Sequence, residues 1–152
     1  MILTDLEIAY IAGFLDGDGS IFFQIIKRPD YKQKFQIRTS IAFYQDTTNR
    51  SILEWLKRKF ESGYIRDRKT GISDYTIVES KEVKKILTLL KPYVKLKQRH
   101  IVLGLEIIDK LENKKSDKDF LEICKLVDEF KKINYSKKRK ITHEFVSQIL
   151  SP

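Results

Sequence analysis

Residues 13–22 read GFLDGDGSIF: two carboxylates, Asp16 and Asp18, stand among Gly13, Gly17 and Gly19, with an apolar run close behind. Three chemistries use such a pattern. A calcium loop of the EF-hand kind needs acidic ligands at its positions 1, 3 and 5, glycine at 6 and a bidentate glutamate at 12. With Gly19 at position 6, Asp16 and Asp18 fall at 3 and 5, but Phe14 falls at 1 and Ile25 at 12. The glutamate is missing and no helix signal follows, so that reading is rejected. A plain helix C-cap explains the glycines but not the acids, because a carboxylate at the negative end of a helix dipole is misplaced by about 0.3–1 kcal/mol. A cation would offset that cost. A carboxylate beside free backbone carbonyls at a helix end is a set of hard oxygen donors, suited to Mg2+ with waters and phosphate oxygens around it. One carboxylate is too few for a full site. A substrate phosphate, or a second copy of the segment, has to complete it.

Several elements must hold this segment in place. Thr4 and Asp5 can cap a helix carrying Leu6, Ile8, Ala9, Ile11, Ala12 and Leu15, which ends near Gly17 or Gly19. Gly13 and Gly17 lie four apart on one face of it, a spacing that lets two backbones approach. Strand signals follow over residues 20–28, then over 35–44 with a clean alternation: Phe35, Ile37, Thr39, Ile41 and Phe43 on one face, Gln36, Arg38, Ser40, Ala42 and Tyr44 on the other. A helix is expected over residues 48–61, a second hairpin over 64–68 and 73–78, and a third helix capped by Ser80 and ended by Pro92. Helical patterns around Ile101, Leu105 and Ile108, around Phe120 to Phe130, and near 142–150 complete the chain. The order helix, hairpin, helix, hairpin, helix implies one four-stranded antiparallel sheet with helices on one face. Its open face carries Phe22, Ile26 and Tyr44 beside several arginines. That mixture suits the reading of base edges in a DNA groove better than plain solvation.

Charge agrees with that face without deciding it. The 152 residues hold 30 Lys and Arg against 21 Asp and Glu, a net charge of +9, which fits either a nucleic-acid binder or a soluble basic protein. The basic run Ser136, Lys137, Lys138, Arg139 and Lys140 can meet phosphates or solvent. No apolar stretch is long enough to span a membrane, and the lone Cys124 excludes an internal disulfide. The length suits a single domain over residues 1–152. The N-terminus has no secretory or transit look, although a protein encoded inside an organelle needs none. His100 and His143 read as structural or surface residues.

Residues 11–19, IAGFLDGDG, resemble the signature of the LAGLIDADG homing endonucleases. GYIRDR (63–68), SDY (73–75) and KPYVKLKQ (91–98) extend the match over most of the chain. A single signature resembles the homodimeric members encoded in chloroplast group I introns. The resemblance implies an α+β fold with an α-β-β-α-β-β-α core, a four-stranded antiparallel DNA-binding sheet and further C-terminal helices. It also implies a homodimer that makes a metal-dependent double-strand break in a long pseudo-palindromic site, leaving 3′ overhangs and promoting intron mobility.

Carried over by position, Asp18 is the metal carboxylate, with Gly17 lending its carbonyl. Mg2+ is the expected metal, and Mn2+ or Ca2+ could occupy the site. Asp16 belongs to the signature but looks structural. Gln45 would orient the attacking water, and Lys97 would stand by the scissile phosphate. The family often has Arg or Lys four residues after the glutamine; here that residue is Asn49 and the arginine is next, so Arg50 is expected to contribute. Ile11, Ala12, Gly13 and Leu15 are expected at the dimer interface. Gln24, Ile26, Arg28, Gln36, Arg38, Ser40, Tyr44, Arg66, Arg68, Asp74 and Thr76 are expected to face double-stranded DNA. An organelle is the expected compartment. The alternatives are an RNA maturase or a non-cleaving DNA-binding protein on the same scaffold, or a metal-binding protein unrelated to nucleic acid.

Overall fold

A reciprocal cap starts the first helix, α1 (Asp5–Asp18): Thr4 Oγ1 accepts from the Glu7 N–H and Glu7 Oε1 accepts from the Thr4 N–H. The computed structural model describes residues 2–134 and 141–150. After α1 come β1 (Gly19–Lys27), β2 (Phe35–Asp46), a 3-10 turn (Thr47–Asn49), α2 (Ser51–Phe60), β3 (Tyr64–Asp67), β4 (Ile72–Ile77) and α3 (Ser80–Leu90), then α4 (Gln98–Asn113), α5 (Asp117–Ile133) and α6 (His143–Leu150). The basic run at 136–140 lies outside the described residues. No helix among the described residues is long and apolar enough to cross a membrane.

The sheet order is β1-β2-β4-β3 with every neighbouring pair antiparallel. The second strand of each hairpin is therefore central. The alternation of β2 fixes the register, because a one-residue slip would turn Phe35, Ile37, Ile41 and Phe43 out of the core. Those residues bury against the helices, together with Ile21, Phe23, Tyr75 and Ile77. Phe23 stacks on Phe130 with ring centroids 4.9 Å apart, and Phe43 lies against Tyr75. Gly104 of α4 backs onto the Phe23 ring, where a Cβ would stand 3.1 Å away. The C-terminal helices thus complete the core beneath β1.

Two local details differ from the sequence reading. The second helix opens as a 3-10 turn, because the Asp46 carboxylate accepts from both the N–H and the hydroxyl of Thr48 and tightens the chain there. Glu79, not Ser80, occupies the cap of α3, and it makes no side-chain cap bond.

Candidate active site

The chain turns from α1 straight into β1 at Gly19. A Cβ there would lie 2.7 Å from a Leu15 methyl and 2.9 Å from the Leu15 backbone, so only glycine lets the strand start this close to the helix. Asp18 is thereby held exposed at the C-terminal tip of α1, where helix carbonyls run out of donors. Gln45, near the end of β2, donates from Nε2 to Asp18 Oδ2 at 3.3 Å. Asn49 donates in turn to Gln45 Oε1 at 3.5 Å. A carboxylate only accepts, so Asp18 sets which way the Gln45 amide faces. Asp18, Gln45 and Asn49 line one open depression of about 640 Å³ with Gly13, Phe14 and Tyr10.

Asp16 points elsewhere. Its carboxylate accepts the backbone N–H groups of Lys95 (2.7 Å), Leu96 (3.1 Å) and Lys97 (3.2 Å), tying the loop before α4 to the end of α1. The Lys97 ammonium donates to the Asp16 carbonyl at 2.9 Å. One signature acid thus positions a loop that delivers a cation to the negative end of the helix, and the other is left facing out. Among the described residues no cluster of three acidic, histidine or cysteine side chains could hold a metal alone. Asp18 with the carbonyls of the last turn, such as that of Gly17, is a partial set of hard oxygen donors. It fits a divalent ion whose remaining ligands come from outside the chain.

Arg50 corrects an expectation. Its Nε bonds Asp67 Oδ1 at 2.9 Å and its Nη1 pairs with Glu54, so the side chain runs toward β3 and lines a separate depression with Lys57 and Arg58. Asn49, not Arg50, shares the depression with Asp18.

Interface residues need a second correction. Ile11, Ala12 and Leu15 are fully buried against the chain's own sheet and have no surface left for a partner. The free face of α1 holds Leu6 (84% exposed), Ala9, Tyr10 (55%), Gly13 and Gly17, flanked by Ile52 and Trp55 of α2. A Cβ on Gly13 or Gly17 would meet nothing within 4 Å. Among the described residues nothing therefore asks those positions to be glycine. The sequence does carry the signal for this face, since α1 is apolar all round, which marks a helix covered on both sides.

On the open face of the sheet, Gln24, Ile26, Gln36 and Tyr44 are half-buried, and Arg38, Arg66 and Arg68 are exposed. Arg28 donates to Gln36 Oε1 at 2.9 Å, pairs with Asp30 and covers the Tyr31 ring. Ser20 and Tyr44 share a hydrogen bond of 3.2 Å, and the Arg68 guanidinium lies over the Tyr44 ring. Ser40, Asp74 and Thr76 depart from expectation. All three lie at 5% exposure or less, because their short side chains on the central strands are overhung by longer neighbours. Asp74 Oδ1 accepts from Arg68 Nε (2.9 Å) and Arg66 Nε (3.3 Å), while Oδ2 accepts from Thr76 Oγ1 (2.7 Å). Burial pushes its carboxyl up, but the Thr76 hydroxyl and the two guanidiniums outweigh that and hold it below the usual carboxylate range. Asp74 is thus an anchor for two arginines and not itself a surface group. Tyr64, on the same face as Thr76 and 46% exposed, is an addition that the sequence reading missed.

A model of the LAGLIDADG endonuclease family matches residues 11–108. The chain belongs to that family. It is 43% identical over 142 residues to the DNA endonuclease I-CreI of Chlamydomonas reinhardtii, covering 93% of this chain and 86% of that protein. It is 37% identical over 145 residues to the DNA endonuclease I-CvuI of Chlorella vulgaris, covering 95% and 90%. The crystal structure of I-CvuI in complex with its target (Sro1.3) in the presence of 2 mM Ca superposes with a TM-score of 0.90 at 36% identity, over 95% of this chain and 92% of that one. A second structure holds I-CvuI with the I-CreI target (C1221) in 2 mM Mg, the DNA not cleaved.

Proposed function

We propose that this LAGLIDADG family member is a homodimeric, site-specific DNA endonuclease that makes a double-strand break in a long pseudo-palindromic site and leaves 3′ overhangs. Intron mobility in an organelle genome is the proposed biological outcome. The observation that carries the reading is Asp18, exposed at the tip of a helix whose free face is apolar and glycine-lined. Two copies packed along that face bring two Asp18 carboxylates together beneath paired sheets.

Mg2+ is the proposed metal, with Mn2+ or Ca2+ able to occupy the same oxygens; when bound it supplies positive charge to the phosphate under attack and activates water. Asp18 and the Gly17 carbonyl would hold it. Gln45, its amide oriented by Asp18 and Asn49, is placed to position the attacking water. Lys97 is placed at the same helix end to stabilise charge developing on the phosphate. On the open face, Arg28, Arg38, Arg66 and Arg68 carry forks suited to guanine, and Gln24 and Gln36 carry amides suited to adenine. Ile26 and Tyr44 add apolar contact.

Selection of cleaved duplexes from a random DNA library tests this, run over a range of Mg2+ concentrations beside an Asp18→Asn control. Cutting that needs both metal and Asp18 is expected. A duplex or RNA that is bound tightly but never cut would instead favour the maturase or the non-cleaving binder.

A further inference from the structure

A row of polar side chains lies between the arginines of the second hairpin, Arg66 and Arg68, and the amide pair Gln45–Asn49, and it belongs to neither group. Across the sheet, Gln45 of β2 stands opposite Ser73 of β4, and Ser73 stands opposite Asp67 of β3. Ser73 is fully buried. Its hydroxyl lies 2.6 Å from Asp67 Oδ1 and 2.9 Å from Thr47 Oγ1. Asp67 can only accept, so the single Ser73 hydrogen goes to Asp67 and Thr47 must donate to Ser73. Arg50 Nε closes the row on the same Asp67 oxygen at 2.9 Å, and the Thr47 N–H donates to the carbonyl of Gly71 in the β3–β4 turn at 2.8 Å. The Ser73 hydroxyl and the Arg50 guanidinium hold the Asp67 carboxyl below its ordinary value, so it stays an acceptor.

The ends of this row are informative. Asp67 lies between Arg66 and Arg68 in the chain, while Thr47 lies two residues from both Gln45 and Asn49. A shift of the second hairpin is therefore handed to the turn that holds the active-site amides. We propose that the Thr47–Ser73–Asp67–Arg50 row is a positioning device that couples base reading by the second hairpin to the placement of Gln45 and Asn49 for cleavage. This rests on the endonuclease reading above. It also gives Arg50 its task, since the arginine acts through Asp67 and lines a depression separate from that of Asp18.

The test uses the full-length homodimer and the duplex recovered by cleavage selection. Affinity is measured with Ca2+ and the single-turnover cutting rate with Mg2+ at saturating protein. Ser73→Ala and Asp67→Ala are expected to bind within about threefold of the parent while the saturating rate falls about tenfold or more, as small misplacements of reacting groups do. Asp67→Ala removes the link from the exposed side, so it remains informative where Ser73→Ala folds poorly. Asp67→Asn keeps an accepting oxygen and is expected to restore most of the rate. An unchanged saturating rate in Asp67→Ala overturns the proposal. So does a parallel loss of rate, affinity and melting temperature that Asp67→Asn does not relieve. If the parent protein cuts no duplex at all, the endonuclease reading fails first and takes this coupling with it.

Discussion

Asp74→Asn isolates the anchor beneath the two arginines, because it changes one charge at constant shape. The carboxylate receives both Nε groups on one oxygen and Thr76 on the other. An asparagine can still offer Oδ1 to one arginine, and the Thr76 hydroxyl can turn to accept from its amide. Hydrogen bonds to a charged group are worth about 1.5–3 kcal/mol each when buried, but these arginines are largely in solvent, which discounts the figure toward that of a surface pair. A stability loss of about 1 kcal/mol follows.

The larger effect of Asp74→Asn falls on DNA. One or both of the long side chains, no longer pre-set, must be ordered on binding, at about 0.5–1.5 kcal/mol per side chain. Specific affinity is then expected to fall about 2- to 150-fold. Removing a negative charge from the DNA face acts the other way on non-specific binding, which is driven by phosphate charge. Titrations of the selected duplex and of a scrambled duplex, at one fixed salt concentration, read the ratio. Specific binding weakens while non-specific binding holds or strengthens, and discrimination is lost only at the base pairs that Arg66→Ala and Arg68→Ala also affect. Equal shifts on both duplexes, or a changed preference at a base pair neither arginine touches, would refute the anchor.

Asp18→Asn is expected to keep DNA binding, which rests on the sheet, while lowering Mg2+-dependent cutting about 100-fold or more, since the charged oxygen donor that would hold the cation at the reacting phosphate is removed. Gly13→Leu fills space that the single chain leaves open; the melting temperature of the monomer should barely move, while sedimentation should show loss of dimer. Burial of the His100 imidazole pushes its pKa below the ordinary value near 6.5, against the Asn134 hydrogen bond and with Lys97 and Arg99 adding to the fall. The unfolded chain then takes the proton first. Stability should be full above about pH 6.5 and decline as pH drops toward the folded pKa; thermal melts of His100→Gln should lack that decline.

How much of this was legible in the sequence follows from what each pattern constrains. The alternation in β2 is unambiguous because one face is buried and the other is not. The order of elements, and hence the sheet, comes from the same source. In α1 the pattern fails for the opposite reason: apolar residues surround the helix, so nothing local says that Ile11 faces in and Leu6 faces out. The closure of Gly19 against Leu15, which fixes how β1 leaves the helix, and the Asp16 bonds to the loop before α4 settle the rotation. On the sheet, period two names a face but not the height of a side chain on it. Ser40 and Asp74 share a face with Arg38 and Arg66 yet are buried. Arg50 turns on a partner 17 residues away, Asp67, which spacing along a helix cannot reveal.

Two separate facts about α1 have one common solution. Its tip carries a carboxylate whose donor set is incomplete among the described residues, and its side carries an exposed apolar stripe that ends at that tip. Covering the stripe with a second copy about a two-fold axis supplies the second carboxylate by the same movement. On the proposed function, cutting and association cannot then be separated. Below the apparent dissociation constant of the dimer measured with the same DNA present, the initial cutting rate should rise with the square of protein concentration and become linear above it. A rate that stays linear at concentrations where sedimentation with the same DNA present shows only monomer, free and bound, would mean that one chain holds a complete site, and the two-fold argument would fall.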